Sequence, residues 1–295
     1  MKVLVTGATG YIGSVVCEFL QKAGHQAVGL ARSEQTAQLL ESRGHQAVRG
    51  SLSDSAGLWA AAATADGVIH AAMDVGPSAG TTDRAAVAAL VEALAGTGRA
   101  LIYTSGVWVM GNTKGQLKGE VSALAAPPLV AWRPAVEELV LDARERGVKG
   151  VVLRPGMVFG RNGGAVAGFF QDARTLGLVR VVGNGENHWS TIHVDDLADL
   201  YVRAVTNPPA GELFIACGGM PQPVGKIARA VAKACGLDGK VEMIPVDAAR
   251  AQMGPLADCL AMDCKAGSTK AARYFGWTVR KPSIIDEIFS GSYLS

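Results

Sequence analysis

The stretch VLVTGATGYIGS (residues 3–14) constrains the fold of this chain more than any other. A short β-rich run ends in glycine, and apolar residues then recur at helical spacing up to a stop at Gly24. Gly7, Gly10 and Gly13 fall in a GxxGxxG spacing at the junction. Glycines in the first strand-to-helix turn permit a tight bend and close backbone approach. The helix N-terminus behind them faces the negative charge of a pyrophosphate. The motif predicts a dinucleotide site held by Gly7, Thr9, Gly10, Tyr11, Ile12 and Gly13.

The alternation continues. HQAVGLARS, HQAVRGSL, DGVIHAA, RALIYTSG and VKGVVLRPG read as strands two to six, with EQTAQLLESRG and the Ala-rich segment 83–95 as helices among them. This predicts an α/β fold of Rossmann type: a doubly wound parallel sheet with helices on both faces. The pentapeptide GHQAV occurs at 24–28 and again at 44–48. Both copies sit at a helix exit, where glycine can take the left-handed conformation that ends a helix. Beyond residue 160 the pattern loosens. RNGGAVAGFF is a glycine-rich loop running into a helix, LVRVVGNGENHWSTIHV is strand, polar loop and strand, and GELFIACGG is a last core strand. A dinucleotide-binding domain of residues 1–160 with 190–217 is expected, beside a smaller C-terminal substrate lobe of 161–189 with 218–295. At 295 residues and 49% apolar, the chain can bury a core for both.

Composition excludes several classes. A net charge of +2 with scattered Lys and Arg gives no nucleic-acid surface. The opening MKVLVTGATG meets Thr and Gly before a signal-peptide core can form. The best apolar run, 56–73, is interrupted by Asp66 and His70. No membrane partner is expected, and the expected location is the cytoplasm. The five cysteines form no CxxC, and Cys259 and Cys264 have no histidine near them in sequence, so no metal site is expected. The partner expected is a small-molecule substrate, and a homodimer is left open.

The end of strand two bears on cofactor choice. An acidic residue about 20 positions after the glycines would bind the ribose hydroxyl of NAD. Ala31 and Arg32 stand there instead. A neutral residue followed by a guanidinium suits the extra phosphate of NADP, so NADP(H) is favoured over NAD(H).

TGATGYIG, GVIHAA, IYTSGVWVMG, VLRPGMVFG and IHVDDLA, in this order and spacing, resemble the extended short-chain dehydrogenase/reductase family. Nucleotide-sugar epimerases and dehydratases belong to it. The resemblance implies a nicotinamide cofactor between a Rossmann domain and a C-terminal lobe. It assigns His70, Ala71 and Ala72 to the segment beneath the cofactor, Pro155 and Gly156 to the turn beside the nicotinamide, and Ser51, Leu52 and Thr104 to the cofactor site. Ser51 stands where the family has the Asp that meets the adenine.

The family's proton-transfer pair is a Tyr with a Lys four residues on, in the helix after strand five. The matching segment, VAWRPAVEELVLDA, offers Arg133 and Glu137 instead, and no YxxxK occurs elsewhere. The family's Ser, counted back from Val109-Met110-Gly111, falls on Gly106, with Ser105 one residue early. Arg133 cannot donate a proton near neutrality but could stabilise an oxyanion or clamp an anion. Glu137 could hold ribose hydroxyls. Alternatively the two form an i,i+4 surface pair. His188, in the polar loop GNGENHWS, is a further candidate proton donor. Trp108 and Trp189 could wall an apolar pocket, Met110 reads as core, and segment 111–131 is a lid or a surface loop. His193 is expected to buttress the lobe junction, and Asp196 to order its helix's first turn.

Three functions remain open on sequence. The favoured one is an NADP-dependent reductase of a small carbonyl or enone, working without the Tyr-Lys pair. The others are an epimerase or dehydratase with a retained nicotinamide, and a non-catalytic NADP(H)-binding sensor.

Overall fold

The structure, a computed structural model, describes residues 1–294. The first half alternates strictly: β1 (Lys2–Thr6), α1 (Tyr11–Lys22), β2 (Gln26–Ala31), α2 (Glu34–Ser42), β3 (Gln46–Arg49), α3 (Ser55–Ala63), β4 (Gly67–His70), α4 (Ala79–Leu94) and β5 (Ala100–Thr104). Next come α5 (Arg133–Asp142), β6 (Lys149–Pro155), β7 (Met157–Gly160), α6 (Gly164–Leu176), β8 (Val179–Val182), β9 (His188–His193), α7 (Val194–Thr206) and β10 (Glu212–Ala216). The C-terminal part holds β11 (Gly218–Pro223), α8 (Val224–Ala234), β12 (Val241–Ile244), α9 (Val246–Met253), α10 (Leu256–Ala261), α11 (Thr269–Phe275) and α12 (Ile284–Ser290).

Seven strands form one parallel sheet in the order β10-β6-β5-β4-β1-β2-β3. Successive side chains of β1 serve opposite faces, as strand geometry requires. Val3 and Val5 join α1 and α7 in one core, while Leu4 joins α3, α4 and α5 in the other. The apolar run 56–73 is largely α3 and β4. Among the described residues no helix is long and apolar enough to cross a membrane.

Both GHQAV copies are the same helix exit. Gly24 and Gly44 each have φ +77°, and the amides of His25 and His45 bond back to the carbonyls of Leu20 and Leu40.

The C-terminal lobe differs in its boundary from the sequence division. β7 and β9 pair with each other and with β11 in a separate three-stranded sheet, and β8 pairs with β12. The chain leaves the main sheet at Gly156. A β-carbon there would lie 2.4 Å from the carbonyl oxygen of Ser190, so only glycine lets β9 approach.

Candidate active site

Strand order reverses about β1, which lies between β2 and β4, and ligands of open parallel sheets bind outside the strand ends at such a point. A cleft of 610 Å³ lies there. Its wall takes in Gly7, Thr9, Gly10, Arg32, Ser51, Leu52, Ala71 and Ala72, eight of the residues expected at the cofactor, together with Met73 and Asp74. The glycine loop fits a dinucleotide on steric grounds. Gly7 has φ +71°, and a β-carbon on it would sit 2.8 Å from the Ala72 amide nitrogen. A β-carbon on Gly13 would sit 2.1 Å from the Gly7 carbonyl oxygen, so Gly13 serves the cleft from below, by packing α1 on the loop. No side chain caps α1, and its first turn holds no acidic residue, which keeps the positive helix end for an anion.

Four expected cofactor residues stand behind the wall instead of in it. Tyr11 gives its hydroxyl to the Gly160 carbonyl at 2.8 Å and sets its ring where a side chain on Gly163 would be. Ile12 packs on the core. Thr104 bonds the Tyr201 hydroxyl at 2.6 Å. His70 is fully buried and belongs to a polar chain that props the cleft floor. The Ala72 amide donates to Thr6 Oγ1 (3.2 Å), and Thr6 Oγ1 bonds His70 Nδ1 (2.7 Å). His70 Nε2 lies 2.9 Å from Asp83, whose other oxygen accepts from Tyr103 at 2.7 Å. The donors and acceptors close when Nε2 donates to Asp83 and the Thr6 hydroxyl donates to Nδ1.

At Met73 the cleft continues into a second cavity of 220 Å³, beside Pro155 and Gly156. Ser105, Trp108 and Arg133 supply its polar groups. The Ser105 hydroxyl and the Trp108 indole nitrogen are buried without a hydrogen-bond partner among the described residues. Arg133, first residue of α5 with Pro134 behind it, is 9% exposed and has no carboxylate partner among the described residues. Its guanidinium donates to the Thr104 carbonyl (2.6 Å) and contacts Met73 Sδ (3.0 Å) and the Trp132 ring.

Glu137 does not face the site beside Arg133 as expected, nor does the alternative pairing of the two form. Glu137 turns its carboxylate to Arg154 on β6, accepting from Nε at 2.9 Å and from Nη2 at 2.5 Å. Both side chains are buried, so the sheet interior consumes Glu137, and it lines neither cavity.

The family model for the NAD dependent epimerase/dehydratase family matches residues 3–216. The chain belongs to that family. An uncharacterized protein of Schizosaccharomyces pombe is 32% identical over 99% of this chain and 100% of its own length. The 2-alkyl-3-oxoalkanoate reductase of Stenotrophomonas maltophilia is 28% identical over 80% of this chain and 76% of that protein. Among solved structures, UDP-glucose 4-epimerase of Thermotoga maritima superposes with a TM-score of 0.83 at 21% identity, covering 100% of this chain and 98% of that one. The dTDP-glucose 4,6-dehydratase of Bacillus anthracis, in complex with NAD, superposes at 0.82 with 15% identity over 99% and 95%.

Within this epimerase/dehydratase-family fold, the other candidates find different places. His188 bonds Asp263 through both its amide (2.9 Å) and Nδ1 (3.0 Å), and it lines neither cavity. Burial pushes the Asp263 carboxyl up. Bonds from Thr113, the Gly115 amide and His188 outweigh that and hold it below the usual carboxylate range. The same carboxylate fastens segment 111–131, so that segment is a strap whose Leu129 and Val130 close the second cavity. Met110 is fully buried core. His193 caps α7 through Nδ1, while Asp196 accepts from the amides of Arg280 and Lys281 and anchors the C-terminal tail.

Proposed function

We propose that the protein is an NADP(H)-dependent reductase of a small carbonyl or enone substrate. One observation carries this reading: Ser105 lines the cavity beside the dinucleotide cleft, and its hydroxyl, closed off from solvent, has no hydrogen-bond partner among the described residues. Leaving a buried hydroxyl without a bond costs about 1–3 kcal/mol, which a substrate oxygen accepting from it recovers. When bound, a reduced nicotinamide supplies a hydride with its two electrons. Addition at a carbonyl carbon leaves an alkoxide, and addition at an enone β-carbon leaves an enolate. Ser105 donates a hydrogen bond to that oxygen, and the Arg133 charge, fixed by the Thr104 carbonyl, favours the same anion. A guanidinium is not a general acid near neutrality, and no Asp, Glu, His, Lys, Cys or Tyr among the described residues lines the cavity. The proton that completes the alcohol or saturated ketone therefore comes from water.

Cofactor choice rests on Arg32. It follows β2 directly in the cleft wall, with Ala31 where an acid would select NAD. Asp74 faces it at 3.9 Å across a largely exposed gap, too loosely to withhold the guanidinium from a phosphate. The test is a fluorescence titration with NADPH and NADH, followed by NADPH oxidation on a panel of ketones and enones. Tighter NADPH binding that Arg32→Ala reduces about tenfold, with NADH unaffected, is expected at the strength of one exposed charge-assisted contact. Equal affinity for both cofactors would remove the role of Arg32. Tight NADPH binding without turnover on the panel would favour a sensor.

A further inference from the structure

We propose that the substrate carries an apolar chain, and that this chain lies in a third cavity inside the C-terminal lobe. The proposal rests on the reductase reading for its carbonyl end. The third cavity measures 400 Å³ and shares Trp108 and Met157 with the cavity that holds Ser105, so the two adjoin along that wall. At 220 Å³ the reduction cavity is smaller than most ligand sites, while the third falls within their usual range. In this proposal the carbonyl sits at Ser105 and the chain runs past Trp108 and Met157, the residues common to both linings.

The chemistry of the walls selects what extends. Phe169, Trp189, Val224, Ile244 and Leu260 contribute apolar surface, and Phe169 stacks on Trp189 at 5.8 Å. Asp172 and Arg180, the only charged groups among the described residues of the lining, pair with each other. Asp172 accepts from Arg180 Nε at 3.1 Å and from Nη2 at 2.7 Å. No uncommitted cation remains in the lining to neutralise a diphosphate, and a buried diphosphate without one is costly. Such a lining favours hydrocarbon over the diphosphate of a nucleotide sugar. Met253 and Leu256 in its lining each stay 37% exposed, apolar surface that a bound chain covers.

Binding of a methyl-ketone series, from 2-hexanone to 2-dodecanone, to the cofactor-free protein tests this by tryptophan fluorescence. Each added methylene is expected to tighten binding about fourfold, the equivalent of ~0.8 kcal/mol, until the cavity is full. Gly168 on α6 lines the cavity, and a β-carbon there meets nothing within 4 Å. Gly168→Phe introduces a bulky ring at a lining position whose β-carbon is unobstructed, and the chain-length dependence is expected to vanish. Leu256→Gln, at a partly exposed site, provides a second variant and is expected to weaken the longest ketones several-fold. Affinity that ignores chain length, or a dependence unchanged in both variants, would overturn the proposal. So would UDP-glucose binding more tightly than 2-decanone and displacing it. Failure of NADPH to bind the wild-type protein would sink the reductase reading while leaving the chain-length result standing.

Discussion

Replacing Glu137 with glutamine separates a structural carboxylate from a site residue. The side chains of Glu137 and Arg154 are 3% and 4% exposed, joined by two hydrogen bonds. Glutamine keeps one acceptor oxygen but turns an amide donor toward a guanidinium that has only donors. It also leaves the Arg154 charge without a counter-charge, and Arg154 Nη1 already lacks a partner. Breaking a buried pair from one side costs about 3–5 kcal/mol, because the surviving charge stays buried. At roughly 2–4 °C per kcal/mol for a large domain, the melting temperature falls by about 6–20 °C, towards the lower end in a chain of this length. NADPH affinity, measured well below that temperature, stays within twofold. Glu137→Leu combined with Arg154→Met removes both charges and recovers most of the loss, since apolar replacement of a buried pair is close to neutral. Differential scanning fluorimetry and an NADPH titration on the three variants decide the matter. A Glu137→Gln protein that melts within 2 °C of wild type yet no longer binds NADPH would refute the reasoning and return Glu137 to the cofactor site.

Ser105→Ala should lower kcat by about 10²–10³ with little change in KM, as loss of an oxyanion donor does, and a kcat within twofold of wild type would remove Ser105 from the chemistry. With no Asp, Glu, His, Lys, Cys or Tyr among the described residues lining the reduction cavity, kcat should stay flat from about pH 6 to 9; a bell-shaped profile would expose an acid or base that the geometry does not contain. Gly13→Ala places a methyl 2.1 Å from the Gly7 carbonyl oxygen, so NADPH binding should be lost, and retained affinity would show that the loop can reshape. Burial pushes the His193 pKa below its ordinary value of 6.5, against the opposing pull of Asp195, Glu287 and Asp196. The unfolded chain then binds this proton first, so the stabilisation is complete above about pH 6.5 and fades as pH falls through that value towards the lower folded pKa. His193→Asn, which keeps an N-cap acceptor for α7, should flatten that slope in pH-dependent melting curves, and an unchanged slope would assign it to other groups.

The parallel sheet and the glycine loop were legible because each is a local pattern. Apolar period and turn glycines fixed β1 to β6, and the GxxGxxG spacing fixed the loop. The repeated GHQAV read correctly for the same reason, since a helix exit depends on residues only a few positions apart. The three-stranded sheet was not legible, because β7 and β9 are separated by a helix and a strand and only their pairing distinguishes them from strands of the main sheet. At the site, i,i+4 spacing put Arg133 and Glu137 on one helix face, but a face is an arc, wide enough to send one side chain to a cavity and the other into the sheet.

The residue that decides between those directions is Arg154, and its sequence context carried a signal. VVLRPG sets a charge inside an otherwise apolar strand that is flanked on both sides in the sheet, where every side chain of the run Gly150–Pro155 is buried. A charge so placed requires an opposite charge within reach, since its isolated burial costs more than the fold can recover. α5 is the helix that leads into β6 and packs against it, so an acidic residue on its inner face is the economical partner. Glu137 meets that requirement in the turn after Arg133. The same logic leaves Arg133 distinct, because among the described residues it is the buried cation that no acid pairs, which is the basis for the ligand role proposed for it.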